Sequence, residues 1–322
     1  MSGAEILDQL YERYYREDYG REDVSPHWKQ LQGRFRVRRN DDGRLELHGE
    51  GFGDLEKVSF SSRLLSGITA FSYLIHLSLR LEIFLLLPRA LVVLKAMGLS
   101  FTYDGFRQIC SLALIKTRMS PASSFTVMVI GDGYGFLSCL IKSVWPDSRI
   151  VLVDLGKTLL FQAHFCGKAH PGEARRLVQP GTDARSLPAR GFIYCPAEHL
   201  ACLEGLRLDG AINTASMQEM TSSAIAGYFQ FLRRNLVENG WFYCCNREEK
   251  EFPGGEIVRF AEYPWDSGDR HLVDEEAPWY KYFFSLHKTR RGLRLAGVRV
   301  PFINAFDGPV RHRLSVLKKF SS

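Results

Sequence analysis

Apolar residues recur at two different spacings along the chain, and the spacing changes near residue 120. Before that point helical spacing dominates, as at Ile6, Leu10 and Tyr14, which would share one face of a helix over 4–17. Further helices are predicted over 62–79, 82–97 and 103–117. Between them, alternation at Phe35 and Val37 and then at Leu45 and Leu47 predicts a β-hairpin whose polar turn is Asp41-Asp42-Gly43.

The segment from Leu64 to Leu99 is strongly apolar and raises the question of a membrane. Charged residues interrupt it, and its longest uncharged stretch is shorter than a membrane-spanning helix requires. We expect two buried helices with a break near Pro88. The alternative is peripheral contact with a membrane or with a partner chain.

Beyond residue 120, short apolar strands alternate with helices. The predicted strands are 125–130, 149–153, 192–195, 208–213 and 241–245. The predicted helices are 136–144, 158–168 and 221–236, the last stopped by Asn239-Gly240, and 169–190 is expected to be loop. This alternation predicts a doubly wound, Rossmann-like α/β sheet with helices on both faces. We therefore expect a mostly helical accessory region over 1–119 and an α/β domain over 120–322.

Composition narrows the class of protein. Of the 322 residues, 45% are hydrophobic and 24% charged, which is typical of a soluble globular chain. The net charge of +6 is dispersed, and no basic stripe with interleaved aromatic residues indicates nucleic-acid binding. The seven cysteines form no C-x-x-C pair and no zinc-binding spacing, so we expect reduced thiols, a cytoplasmic location and no metal.

The first predicted strand runs directly into a glycine-rich turn, Gly131-Asp132-Gly133-Tyr134-Gly135. Such a turn lets a ligand approach the backbone and the helix that follows. Asp154 ends the next strand, where a carboxylate can bind both hydroxyls of a ribose. A dinucleotide favours a third small residue, but this chain has the bulky Phe136 there. The pattern therefore favours S-adenosylmethionine, with a dinucleotide or a purely structural turn as alternatives.

The carboxyl ends of the later strands supply the remaining candidates for binding the cofactor. The full predicted set is Gly131, Asp132, Gly133, Gly135, Asp154, Leu155, Ala197, Glu198, Asn213 and Thr214. Ala197 and Glu198 follow the third strand, where an adenine edge would lie. Asn213 and Thr214 end the fourth strand, beside the reacting methyl group. For Glu198, the competing interpretation is an acidic residue that only starts a helix.

The stretch from Ala211 to Met220 resembles the sugar O-methyltransferases, a bacterial family of S-adenosylmethionine-dependent enzymes. The matching features are Asn213, Ser216 and Gln218-Glu219-Met220 after the fourth strand, Gly133-Tyr134-Gly135, Asp154-Leu155, and Asn246 after Trp241-Phe242-Tyr243. The similarity covers roughly residues 120 to 285. It implies methylation of a hydroxyl on a sugar or sugar-like natural product. The alternatives are another small-molecule acceptor, such as a phenol, carboxyl or amine, or a non-catalytic interaction module.

Transfer to a hydroxyl requires a group that aligns the acceptor and removes its proton. The predicted catalytic residues are Glu219, Gln218, Asn246 and Arg247. Glu219 is the candidate base or acceptor-orienting group, and the alternative is that it only supports the helix that follows. Arg247 could instead form a surface ion pair. The accessory region is expected to cover the acceptor pocket or to form a homodimer contact.

Overall fold

The computed structural model describes residues 3–16, 35–40, 45–49, 59–252, 255–285 and 291–319. The predicted hairpin turn at Asp41-Asp42-Gly43 lies outside these residues. The accessory region begins with helix α1 (Gly3–Tyr11), which continues as a π-helical turn, Glu12–Arg16. The elements that follow are β1 (Arg36–Arg39), β2 (Leu45–His48), α2 (Phe60–His76), α3 (Arg80–Met97) and α4 (Tyr103–Met119).

The α/β domain that follows contains strands and helices in alternation up to residue 247. These elements are β3 (Thr126–Ile130), α5 (Phe136–Val144), β4 (Arg149–Asp154), α6 (Gly156–Ala169), β5 (Arg175–Leu177), β6 (Gly191–Pro196), β7 (Leu208–Thr214), α7 (Ser222–Asn235) and β8 (Leu236–Arg247). Among the residues described after 247, the chain then continues through strands joined by short 3₁₀ turns and loops. These strands are β9 (Glu249–Glu251), β10 (Ile257–Arg259), β11 (Arg270–Glu276), β12 (Tyr282–Phe284), β13 (Gly292–Leu295), β14 (Val298–Ala305) and β15 (Val310–Val316).

Eight strands form the central sheet in the order β11-β15-β8-β7-β3-β4-β6-β5. Only β15 is antiparallel to its neighbours, β8 and β11. The order confirms the predicted Rossmann-like sheet. Strand β3 pairs with β4 on one side and with β7 on the other, so the winding direction reverses at β3. Ligands of such sheets bind outside the carboxyl ends of the strands at this switch point.

The inner strands β3 and β4 are apolar along most of their length because helices cover both faces of the sheet. Val127 and Val129 of β3 lie in one buried cluster, whereas Met128 and Ile130 lie in the other. The first cluster also contains Ile6 and other side chains from the accessory region, so that region and the sheet share a core.

Three local predictions were wrong. Helix α3 passes through Pro88 without a break, and the chain turns instead at residues 77–79. The helix tolerates Pro88 because its inner face, including Leu86 and Ala90, is anchored in the core. The stretch 169–190 contains the edge strand β5, which is too short and polar to show alternation. Helix α7 ends at Asn235, so that Asn239-Gly240 falls inside β8.

Helices α2 and α3 are also not buried on all sides. Large apolar side chains are exposed on both: Phe60, Leu64, Ile68, Phe71 and Ile75 on α2, and Leu81, Phe84, Leu85, Leu91 and Val92 on α3. On α2 they recur every three or four residues, and on α3 they occur at Leu81, then at Phe84 and Leu85, and then at Leu91 and Val92. Each helix thus presents an apolar stripe away from its buried face. In the described ranges, no helix is long and apolar enough to cross a membrane.

Candidate functional site

The glycine turn follows β3 at the switch point of the sheet. Gly131, Gly133 and Gly135 all have positive φ angles, of 72°, 55° and 82°. A Cβ atom at Gly131 would lie 2.1 Å from Ser216 Oγ, so the turn also packs directly against the loop that follows β7. Both the backbone conformation and the space available therefore require glycine at position 131.

Asp132, inside the turn, is directed at the start of helix α5. Its carboxylate accepts hydrogen bonds from the backbone amides of Leu137 (3.2 Å) and Ser138 (2.8 Å). The side chain is buried, and burial raises the pKa of Asp132 to about 6. The helix N-terminus, which binds the pyrophosphate in dinucleotide sites, is thus already occupied by a carboxylate of the chain itself. Asp132 therefore caps the helix in this structure.

Asp154 ends β4, next to the glycine turn. One carboxylate oxygen accepts from the amide of Leu155 (2.8 Å), and the other accepts from Gln162 Nε2 (2.7 Å). Burial raises the pKa of Asp154 to about 7. These two bonds hold the carboxylate in a fixed orientation at the mouth of the crevice. Leu155 itself is the N-cap residue of α6.

Glu198 lies beyond the end of β6, in the 3₁₀ helix that begins at Ala197. It accepts a hydrogen bond of 2.6 Å from the hydroxyl of Tyr14, a residue of the accessory region. The Tyr14 ring also lies against Gly156, just past Asp154, where a Cβ atom would approach it to 2.3 Å. The sequence identified Tyr14 only as part of the apolar face of a helix, and nothing in its spacing indicated a polar contact.

Buried amides connect the carboxyl ends of β3, β7 and β8. Asn213 Nδ2 donates to the carbonyl of Ile130 (2.9 Å), and Asn213 Oδ1 accepts from Asn246 Nδ2 (2.8 Å). Ser216 Oγ bonds to both Ile130 O and Asn213 Nδ2. Asn213 and Asn246 have no exposed surface, so their amides hold the loop after β7 in place. Thr214, the last residue of β7, is half-buried.

The same network positions the predicted catalytic segment. Gln218 donates its backbone amide to Asn246 Oδ1 (3.0 Å), and its side-chain oxygen accepts from the amide of Arg247 (2.7 Å). Glu219, the next residue, accepts from Lys250 Nζ at 2.5 Å, and both of these side chains are 14% exposed. The structure therefore brings Glu219, Gln218, Asn246 and Arg247 together at the carboxyl edge of the sheet.

Other polar residues lie away from this edge or have structural partners. Asp209 accepts a hydrogen bond from the amide of Thr126 at the opposite end of the sheet. His271 lies on β11, and one of its ring nitrogens bonds to Ser315 Oγ at 2.7 Å. Burial lowers the pKa of His164 to about 4, which favours a neutral packed ring. Within the described part of the chain, no group of histidine, cysteine, aspartate and glutamate side chains could hold a metal ion.

Comparisons with known proteins complete the description. No protein-family model matches the chain, and no curated protein matches it. Solved structures do match, among them TrmN from Thermus thermophilus (13% identity, TM-score 0.39, covering 65% of this chain and 48% of TrmN). Coclaurine N-methyltransferase matches with 10% identity and a TM-score of 0.36 over 53% of this chain and 50% of that one. The pyocyanin biosynthetic protein PhzM matches with 10% identity and a TM-score of 0.40 over 67% and 57%.

The chain thus spans about half the length of TrmN and of the coclaurine enzyme. These likenesses are distant, and the site is interpreted from its own residues.

Proposed function

We propose that the protein is an S-adenosylmethionine-dependent methyltransferase that acts on a hydroxyl of a sugar or sugar-like natural product. The observation that carries this proposal is the cap formed by Asp132. Its carboxylate accepts hydrogen bonds from two amides at the start of α5, so these amides are not available to a pyrophosphate, and its negative charge would oppose one. A glycine turn at the switch point whose helix amides are already bonded favours a phosphate-free nucleoside cofactor over a dinucleotide.

The residues of the crevice fit such a cofactor. We assign the ribose hydroxyls to Asp154, whose carboxylate is fixed by Leu155 and Gln162. The adenine is assigned to Ala197 and Glu198. Thr214 and the backbone of the glycine turn would adjoin the methionine part, and the fully buried Asn213 would support them through its bond to Ile130. When bound, the cofactor supplies an electrophilic methyl group.

Glu219 is the proposed base or orienting group for the acceptor hydroxyl. Lys250 bonds to one of its carboxylate oxygens and so fixes the side chain beside the ends of β7 and β8. Gln218 and Asn246 position the 3₁₀ turn that carries Glu219, because each bonds to the backbone of the other's segment. Arg247 is proposed to hold hydroxyl or acidic groups of the acceptor. The alternatives are a phenol, carboxyl or amine acceptor and a non-catalytic module.

Calorimetric titration separates these classes. We expect the protein to bind S-adenosylhomocysteine and not NADH. Tight uptake of NADH would refute the assignment of the cofactor, and failure to bind either would favour the non-catalytic module. Incubation with labelled S-adenosylmethionine and a panel of sugar-bearing and phenolic acceptors then tests the acceptor class. Labelling of phenols alone would contradict the sugar assignment.

The role of Glu219 is tested by Glu219→Gln. We expect this variant to bind S-adenosylhomocysteine as the unmodified protein does but to lose most of its turnover, by about 100-fold or more, because general bases contribute 10² to 10⁴ in rate. Glu251→Gln, an exposed site next to Lys250, is the matched control and should keep full activity. Full activity in Glu219→Gln would refute the assigned role.

We also propose that the protein forms a homodimer through α2 and α3 and that it is located in the cytoplasm. Weighted by the exposed fraction of each side chain, the stripes present roughly 800 Å² of apolar surface, taking about 200 Å² for a fully exposed aromatic side chain and about 100 Å² for an aliphatic one. That is about the area each partner contributes to a stable interface. Sedimentation should show a dimer that Leu64→Asp converts to a monomer, and a monomer at all concentrations would contradict the proposed dimer.

Cysteines without disulfide bonds support a reducing compartment.

A further inference from the structure

The first helix of the chain lies against the side of the α/β domain that contains β4, α6 and β5. Its buried face is formed by Ile6, Leu10 and Tyr14, which are 1%, 0% and 4% exposed. These three residues are four apart, so they make a single stripe along the helix and its π-helical continuation. Ile6 and Leu10 are ordinary core residues. Tyr14 also takes part in this core but places its hydroxyl at the carboxyl edge of the sheet.

Tyr14 connects the ends of two strands there. Its ring contacts Gly156, two residues beyond Asp154 at the end of β4, and the close approach is possible only because position 156 has no side chain. Its hydroxyl donates to Glu198 Oε1 beyond the end of β6, at 2.6 Å. Strands β4 and β6 are neighbours in the sheet, so the Tyr14 side chain connects the carboxyl ends of two paired strands.

This position adjoins the groups assigned above to the ribose and the adenine. An aromatic face beside a nucleoside site offers stacking, which tolerates any base because every base has a π-face. A tyrosine that served only to fill the core would not need a carboxylate at its hydroxyl, since phenylalanine would pack equally well. The bond to Glu198 instead fixes an acidic side chain at the place where adenine would be recognised.

We propose that Tyr14 is a cofactor-binding residue: its ring forms the outer wall of the adenosine pocket, and its hydroxyl sets the orientation of Glu198. The accessory region then completes the cofactor site rather than only covering the acceptor. This inference rests on the proposed function. It assigns to residues 3–16 a binding role that the motifs of the α/β domain do not contain.

The test is calorimetric titration of the full chain and its variants with S-adenosylhomocysteine. Tyr14→Leu keeps an apolar side chain in the core but removes the aromatic face and the hydroxyl, and we expect affinity to fall about 10- to 100-fold. Tyr14→Phe keeps the ring and should lose about 3- to 10-fold, the worth of one ordinary hydrogen bond. Glu198→Ala combined with Tyr14→Phe should be no weaker than Glu198→Ala alone, because alanine removes the acceptor of the Tyr14 hydroxyl.

Tyr11→Leu is the matched control, because Tyr11 belongs to the same helix but contacts Tyr15 and Arg39 instead of the strand ends. It should change affinity by less than about 2-fold. Hydrogen exchange gives a second measurement: bound S-adenosylhomocysteine should slow exchange in residues 3–16 of the unmodified protein and much less in Tyr14→Leu.

The outcomes distinguish the two proposals. If the unmodified protein fails to bind S-adenosylhomocysteine, the proposed function and this inference are both overturned. If it binds but Tyr14→Leu binds equally well or more tightly, this inference alone is overturned, since Tyr14 would then be a packing residue or an obstruction of the pocket. Equal losses in Tyr14→Leu and Tyr11→Leu would also overturn it, because they would indicate a general effect of loosening the helix.

Discussion

Replacing Gly131 by alanine tests whether the glycine turn is fixed by contact with the loop after β7. The new Cβ atom would lie 2.1 Å from Ser216 Oγ and 2.4 Å from Ser216 Cβ. Ser216 cannot easily move away, because its hydroxyl is bonded to the carbonyl of Ile130 and to Asn213. The substitution therefore combines a steric conflict with an unfavourable left-handed backbone at φ 72°.

The two costs can be separated. A left-handed backbone costs alanine about 1–2 kcal/mol, and overpacking adds about 1–3 kcal/mol. Gly131→Ala should thus lower the free energy of unfolding by about 2–5 kcal/mol. Gly98→Ala is the control for the backbone term alone, because Gly98 has a φ of 76° and open space where a Cβ atom would be. It should cost only about 1–2 kcal/mol.

Urea unfolding followed by circular dichroism measures these values. Ser216→Gly alone should cost about 2 kcal/mol, since it removes two hydrogen bonds. The double variant Gly131→Ala/Ser216→Gly should be more stable than the sum of the single effects by about 1–3 kcal/mol, because the steric conflict is gone. Strict additivity, or equal losses in Gly131→Ala and Gly98→Ala, would refute the packing of the turn against Ser216.

Three further predictions concern buried charges. Burial raises the pKa of Asp132 to about 6, so ionisation of this carboxyl should lower the free energy of unfolding by about 3 kcal/mol as the pH rises from about 4 to above 6. Asp132→Asn should lack this part of the pH dependence in unfolding measurements. Burial likewise raises the pKa of Asp154 to about 7, and only the ionised carboxylate accepts hydrogen bonds from two ribose hydroxyls. The affinity for S-adenosylhomocysteine should therefore rise severalfold between about pH 6 and 8. The affinity of Asp154→Asn should be weak and insensitive to pH. Arg233 forms a buried bidentate pair with Asp269 at 2.7 and 2.9 Å; Arg233→Met should cost about 3–5 kcal/mol, and Arg233→Met/Asp269→Leu should recover most of that loss.

The parallel strands and the glycine turn could be predicted from the sequence because their signals are local. A run such as Val127 to Ile130 is apolar on both faces, and a turn with three left-handed residues needs glycine whatever surrounds it. The strands after Arg247 were not predicted individually, since edge and antiparallel strands depend on partners far along the chain. Strand β15, for example, inserts between β8 and β11 although more than sixty positions separate it from β8.

The same distinction between local signals and distant partners applies to the candidate site. Sequence placed Glu219 and Asn246 at one edge of the sheet, because strand ends meet there. It did not show that Asp132 would turn toward the helix amides, nor that Lys250 would pair with Glu219. Side-chain direction is decided by neighbours in space. For the same reason Tyr14 was not identified, since its partners Gly156 and Glu198 are more than 140 positions away.

One buried cluster joins the accessory region to the sheet, so the two parts should not be separable by truncation. Tyr134 of the glycine turn donates to the carbonyl of Gly49, and Phe35 packs on Phe161 of α6. A fragment that starts near residue 120 would expose to water the face of the α/β sheet that the accessory region covers. We therefore do not expect it to be a stable, shortened form of the protein. We expect one cooperative melting transition for the whole chain, with the early helices and the glycine turn lost at the same temperature.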